Sequence, residues 1–291
     1  MELRQLEYFQ KVCLLNSITK AAEELHVSQP SISIALQKLE REFGLPLFDR
    51  NQKQLSLTEN GKVFLQRTND ILTRVKDTSA EMRDRKRLQG GTINIGIPPM
   101  IGSMLFPPIL AKFRKAYPNL QLKAFESGSL TIREQLEQGT LDIGIISTGK
   151  VLSSRLGSIS IREEELLVCL PQGHPLGAFA RISLQELKNE PFILLEEDTF
   201  IRQTILEECR RQNFSPEIVL SSSQIQTIVG LVEERVGISF LLDTILKNQP
   251  HILSRPFANP IYVQIVLAWN NDRYLSKASK AFIDFITLLQ K

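Results

Sequence analysis

Apolar residues return every three or four positions through the first 43 residues. Leu3, Leu6, Phe9, Val12 and Cys13 make one stripe, Ala21, Ala22 and Leu25 a second, and Ile32, Leu36, Leu39 and Phe43 a third. This spacing predicts three short helices over 2–15, 18–25 and 28–43, each with one buried face. Ser17 or Thr19 caps the second helix and Ser28 the third, because a hydroxyl accepts from the otherwise unpaired N–H groups of a first turn. Pro30 suits a first turn, where no N–H partner is lost. Gly44 closes the third helix and Pro46 stops it resuming. Residues 47–50 and 54–57 read as two short strands around a polar turn at 51–53. Helices crossing at a tight corner, then a strand pair, form the pattern of a winged helix-turn-helix, whose second helix enters a DNA major groove.

A single long helix is predicted from Thr58 to about Leu88. Phe64, Thr68, Ile71, Val75, Thr78 and Met82 alternate at spacings of four and three, a heptad seam suited to pairing with a second copy. Gln89, Gly90 and Gly91 make a linker. Beyond it the period changes. Strands are predicted at 92–97, 120–125, 141–146, 166–170, 192–195, 217–220, 237–241 and 263–269, and helices at 103–117, 130–138, 200–212, 224–234 and 276–289. Strands alternating with helices predict an α/β domain with parallel sheets.

Composition narrows the function classes. The chain has 291 residues, enough for about two domains, and 42% of them are hydrophobic. No apolar run reaches the roughly 18 residues of a membrane helix, and residues 1–15 lack a signal-peptide core, so a cytoplasmic protein is expected. Cys13, Cys169 and Cys209 are odd in number and far apart, which argues against a disulfide framework or a zinc site. The net charge of +3 sits entirely in residues 1–90, with 15 Lys/Arg against 12 Asp/Glu; residues 91–291 hold 20 of each. No phosphate-binding glycine loop, nucleophile elbow or HExxH is present, so no catalytic residue, metal or cofactor is expected. His26 and His174 are read as surface or structural residues. Glu163, Glu164 and Glu165 are read as a solvated edge, and Glu196, Glu197 and Asp198 as favourable charge before the next helix.

Specific residues carry a family resemblance. Ala21-Ala22, Leu25, Ser28-Gln29-Pro30-Ser31, Ser33 and Leu39-Glu40 resemble the N-terminal signature of LysR-type transcriptional regulators. Leu47-Phe48, Arg50, Leu57-Thr58 and Gly61 continue it in order and spacing. The resemblance covers the whole chain. It implies a winged helix-turn-helix at 1–58, a linker and dimerisation helix at 59–90, and an effector-binding domain at 91–291 similar to the two-lobed periplasmic binding proteins. Lobe I would hold 91–162 and 267–291, and lobe II 163–266. Gln29 and Ser33 are then candidates to read base edges, and Ser28, Ser31, Lys38, Arg50 and Lys53 to hold phosphates, with Gln37 on the same helix. Ile34 and Ala35 depart from the family pattern, which often has a basic or amide residue there.

Ligands of open α/β sheets bind at the carboxyl ends of strands, beside helix N-termini. That places candidate effector contacts at Met100, Ile101, Gly102 and Ser103, at Ser127, Gly128 and Ser129, at Ser147 and Thr148, and at Thr199, Phe200 and Arg202. Ser222, Gln224 and Ile225 stand opposite. Hydroxyls, exposed N–H groups and one arginine suit a short carboxylate or other small anion. The expected partners are double-stranded DNA with a near-palindromic operator, a small-molecule effector, further copies in a homodimer or homotetramer, and RNA polymerase if the protein activates. The alternative is a solute-binding protein or small-molecule enzyme with a helical appendage.

Overall fold

The computed structural model describes residues 1–49, 55–85, 90–149, 152–247 and 249–289. It divides into two compact units, Met1–Arg85 and Lys86–Lys291.

In the first unit the three short helices are α1 (Leu3–Leu15), α2 (Ile18–Glu24) and α3 (Gln29–Phe43). Ser17 caps α2 and Ser28 caps α3, their side chains accepting from Lys20 N and Ser31 N. The corner between them contains no glycine. His26 takes a left-handed conformation (φ 53°), and Val27 N donates to Ala22 O at 3.0 Å, closing the end of α2. The buried face of α3 is Ile32, Ala35, Leu36 and Leu39. Phe43, expected at the end of that stripe, is 43% exposed and instead lies against Phe64, with centroids 5.2 Å apart. Strands β1 (Phe48–Asp49) and β2 (Ser56–Leu57) pair antiparallel. The expected phosphate contacts Arg50, at the end of the first predicted strand, and Lys53, in the predicted turn, lie outside the described residues.

Helix α4 spans Glu59–Arg85; the predicted extension to residue 88 lies outside the described residues. Its first turn explains Thr58 and Gly61. The Thr58 hydroxyl donates to Pro46 O at 2.7 Å and accepts from Gly61 N at 3.0 Å. A Cβ on Gly61 would collide with the carbonyl oxygen of Leu47, so the close approach of helix to strand needs glycine there. The predicted seam is not one continuous outward face. Phe64 packs on Phe9 with centroids 5.0 Å apart, and Thr68 is fully buried in the same unit. Farther along, Val75 and Met82 are exposed.

The second unit is a mixed α/β fold built on a six-stranded sheet of order β4-β3-β5-β10-β6-β9. Its first half runs β3 (Gly91–Ile97), α5 (Pro99–Met104), α6 (Phe106–Ala116), β4 (Leu120–Glu126), α7 (Ser129–Gln138) and β5 (Ile143–Thr148). Here β3 is parallel to both neighbours, because helices carry the chain back between strands. The single helix expected at 103–117 is two. It starts earlier, at Pro99, and breaks before Pro107 and Pro108, whose rings remove N–H donors and force a fresh first turn.

Beyond β5 come β6 (Leu156–Pro171), β7 (Pro191–Leu194), α8 (Phe200–Arg211), β8 (Glu217–Ser221), α9 (Ile225–Glu233), β9 (Ser239–Leu242), α10 (Asp243–Leu246), β10 (Ile252–Asn270) and α11 (Lys277–Leu289). Strands β7 and β8 form a separate parallel pair. The sheet is not purely parallel: β10 runs antiparallel to β5 and to β6, and β6 to β9. Strands β6 and β10 are far longer than predicted and pair from Ile252–Pro171 to Asn270–Leu156. In the extra half of β6, half-buried and exposed positions alternate from Gly157 to Arg162, so it lacked the apolar run that marks its other half. Glu164, expected in a solvated edge, lies within β6 and is 6% exposed. It accepts from the Thr244 hydroxyl at 2.6 Å and pairs with Arg162 at 3.0 Å.

Two glycines make opposite predictions. Gly61→Ala should lower the unfolding free energy by about 1–3 kcal/mol, because a backbone carbonyl cannot move aside cheaply. Gly230 sits inside α9 with open space around a built Cβ, so Gly230→Ala should raise it by about 0.5–1 kcal/mol. Urea unfolding of each variant measures both signs.

Candidate nucleic-acid interface and ligand cleft

Helix α3 presents its N-terminus and one polar face to solvent. The Ser28 and Ser31 hydroxyls share a 2.7 Å hydrogen bond while Ser28 Oγ also accepts from Ser31 N. Both hydroxyls are therefore used in the cap, yet both residues remain exposed. Gln29 and Lys38 are exposed; Ser33 and Gln37 are half-buried. Ser33 and Gln37 share the wall of a 340 Å³ depression with Leu36, Phe48 and Asp49. The structure thus gathers Ser28, Gln29, Ser31, Ser33, Gln37 and Lys38 on one element, with N–H groups at its start able to meet phosphate. Arg41 is also exposed on this helix and lines a neighbouring depression with Gln37. Its place in the i+4 and i+8 rows from Gln37 and Ser33 was legible in the sequence. Ala35 is 9% exposed and belongs to the core. It is no missing DNA contact, and the departure from the family pattern reduces to Ile34.

In the second unit the expected effector residues separate into two groups. Gly102 and Ser103, from α5, face Gln224 and Ile225, from the start of α9, across a cavity of about 860 Å³. Glu126, Thr244 and Gln249 complete its polar wall; no local signal in the sequence points to them, since they come from a strand end and from α10 and the turn after it. Met100 and Ile101 do not offer side chains to it. They are 3% and 1% exposed in the core, because α5 begins at Pro99 and turns them inward. The Ser103 hydroxyl donates to Met100 O at 2.9 Å. Ser222 Oγ accepts from Gln224 N at 3.0 Å, leading into α9.

The second group is closed on itself. Ser129 is buried and its hydroxyl accepts from Ser147 N at 2.9 Å. Ser127 Oγ donates to its neighbour's carbonyl at Glu126, and Thr148 is half-buried at the end of β5. Thr199 is buried and donates to Glu196 O at 2.7 Å. Phe200 packs as a partly buried member of the main core. Asp198 occupies the start of α7. Its Oδ2 accepts from Gly128 N at 2.6 Å and from the Thr131 hydroxyl at 3.0 Å, and its carbonyl accepts from Leu130 N at 3.0 Å. A Cβ on Gly128 would collide with Asp198. The acidic run was expected to favour the helix that follows it, α8. Asp198 instead supplies the negative end that the α7 dipole favours.

Arg202 is likewise engaged. Its guanidinium donates to Leu195 O at 2.9 Å and to the Ser221 hydroxyl, and lies 3.7 Å from Glu197. It ties the start of α8 to the ends of β7 and β8, so it is not the free cation expected in the cleft. A largely buried guanidinium must spend its donors on nearby acceptors.

No group of His, Cys, Asp or Glu able to hold a metal occurs among the described residues. Burial pushes the Cys13 thiol up to about 12 and the Cys209 thiol up to about 11, leaving both protonated and poorly nucleophilic at neutral pH. His174, read as a surface or structural residue, has two neighbours at its ring: its Nδ1 accepts from Leu176 N at 3.2 Å and its Nε2 lies 3.5 Å from Glu190.

Asp198→Ala should lower the unfolding free energy by about 1–3 kcal/mol, because Gly128 N and the Thr131 hydroxyl lose their acceptor. Asp198→Asn, which keeps one, should cost less. Thermal and urea melts of the two variants test the order; equal stability of Ala and wild type would show the contact is not held in solution.

Comparison with known proteins agrees with both halves of this geometry. Residues 3–62 match the family profile described as bacterial regulatory helix-turn-helix protein, lysR family, and residues 86–289 match the LysR substrate binding domain. The HTH-type transcriptional regulator YwbI of Bacillus subtilis (strain 168) is 35% identical over 290 residues, covering 98% of this chain and 95% of that protein. The structure of a full-length OxyR variant from Pseudomonas aeruginosa superposes with a TM-score of 0.69 at 27% identity, covering 99% of this chain and 95% of that one. Full-length CbnR in complex with its target DNA shares the fold, with a TM-score of 0.64 at 20% identity and 99% of each chain covered. No helix among the described residues is long and apolar enough to cross a membrane. The chain belongs to the LysR family of DNA-binding transcriptional regulators and carries that family's effector-binding domain.

Proposed function

We propose that this regulator acts in the cytoplasm as a homo-oligomer on a near-palindromic duplex, without catalysis of its own. The observation that carries the reading is α3: a capped helix with its apolar face buried and Gln29, Ser33, Gln37, Lys38 and Arg41 left toward solvent. Gln29 and Ser33 read base edges, while Ser28, Ser31, Lys38 and the wing residues Arg50 and Lys53 hold phosphates. Oligomerisation has three supports. Helix α4 leaves Val75 and Met82 exposed beyond its packed first half. Strand β4 ends the six-stranded sheet with Phe125 exposed, and β8 presents Ile218, Val219 and Leu220. Unpaired edges with apolar side chains are surfaces that a second copy covers. On this reading residues 1–58 bind DNA, 59–90 pair, and 91–291 form two lobes, 91–162 with 267–291 and 163–266. RNA polymerase is a further partner where the regulator activates.

The effector is a small polar molecule held in the 860 Å³ cavity between α5 and α9. It shifts lobe closure, and hence DNA affinity, only as far as it prefers one arrangement over the other. A short carboxylate at the start of α7 has to displace Asp198, since that seat is filled from within the chain.

Two measurements test this function. In mobility shifts at two salt concentrations, wild-type affinity should fall steeply with salt, and Gln29→Ala with Ser33→Ala should weaken specific binding far more than nonspecific binding. Equal loss on both DNAs removes the base-reading role, and no salt-sensitive DNA affinity removes the function itself. In thermal shift assays, acetate and benzoate should stabilise Asp198→Ala more than wild type; an equal shift would show that Asp198 does not guard the α7 seat.

A further inference from the structure

The exposed face of α3 has an apolar residue near its middle. Ile34 is 54% exposed and, among the described residues, joins none of the hydrophobic clusters. At 3.6 residues per turn it points away from the buried Ile32, Ala35, Leu36 and Leu39. It lines up instead with Pro30, Lys38 and Arg41 at spacings of four and seven, all exposed. It sits in the second turn of the helix, and the early residues of a recognition helix are the ones that reach base edges. An isoleucine there has no donor or acceptor, so it can hold neither a phosphate nor a polar base edge. The one apolar group that a B-form major groove displays is the C5-methyl of thymine. A β-branched side chain on a helix is also held to essentially one χ1 rotamer, so little freedom is lost when it docks.

We infer that Ile34 is a specificity-determining residue that contacts a thymine methyl in each half-site. Ser33 and Gln37 beside it supply polar readout, and Lys38 and Arg41 supply the charge that brings the face to the duplex. The inference rests on α3 being the recognition helix, and the experiment separates the two.

Full-length wild type and Ile34→Ala are each used to select duplexes from a randomised pool. Wild type should enrich a motif with one fixed T·A pair per half-site, and Ile34→Ala should accept any pair there while keeping the rest of the motif. Replacing that thymine by deoxyuridine removes only the methyl. It should weaken wild type about fourfold per half-site, about fifteenfold for two, and leave Ile34→Ala unchanged. Equal binding of thymine and uracil DNA by wild type, or an unchanged motif for Ile34→Ala, overturns the methyl contact while leaving DNA binding intact. Failure of wild type to enrich any motif overturns the recognition-helix reading and this inference with it. Because Ile34 packs against none of the described clusters, its replacement should leave the melting temperature and nonspecific, salt-sensitive binding at wild-type values, which separates loss of readout from loss of fold.

Discussion

The effector-binding unit depends on one ladder, the antiparallel pairing of β6 with β10. Strands β4, β3 and β5 lie on the β10 side of this pair and β9 on the β6 side, so among the described residues the two sides of the sheet are joined where β6 and β10 bond to each other. Their shared register spans nearly the full length of both, with irregularities between Pro256 and Ile261 and between Ile265 and Val266. Backbone groups buried in such a ladder have no water to fall back on. One irregularity lies beside Glu163 and Arg162, the partners of Gln264 and Ile265, and the buried Glu164 next to them is held by Thr244 and Arg162.

The DNA-binding unit solves a different problem. A helix that must leave its functional face wet has to obtain its stability from the other face and from its ends. For α3 that means Ile32, Leu36 and Leu39 in a cluster with Phe9 and Phe48, the Ser28 cap, and Gly44 at the far end. The Glu40 carboxylate adds a link outward, accepting from Leu47 N at 2.9 Å and Phe48 N at 3.3 Å, so a side chain of the helix holds the backbone at the start of the strand pair. None of these interactions uses Gln29, Ile34 or Lys38, so substitution at those three positions is decoupled from folding, whereas Ser28 serves the cap as well as the exposed face.

The division of labour explains which features the chain shows in its sequence and which it hides. Elements with a complete local signal were legible: the capped α3, the Gly44 stop, and the apolar runs of β3 and β5. Ser28, Thr58 and Gly61 could be read because their roles are satisfied within a few residues or by a neighbouring turn. The exposed halves of β6 and β10 were missed, since an alternating strand with Glu and Ser on one face lacks a continuous apolar run. Arg202 and Asp198 were misassigned for a deeper reason. Each is chemically suited to a ligand or to its own helix, and which acceptor or helix end it meets is decided 7 to 70 positions away along the chain. Met100 and Ile101 failed in the opposite sense: a proline-initiated turn of helix carried them from a loop lip into the core.

The carboxylate of Asp198 at the head of α7 makes the protein its own competitor. A tethered carboxylate is present at a high effective concentration that no dilution reduces. Any external acid that seeks those N–H groups binds only the fraction of molecules whose seat is vacant, and its apparent affinity falls by that fraction. The concentration at which such an acid registers is then written into the strength of an internal contact rather than into the shape of the pocket. Sequence drift at position 198 or 131 would change how readily an external acid takes that seat without touching a residue that lines the cavity.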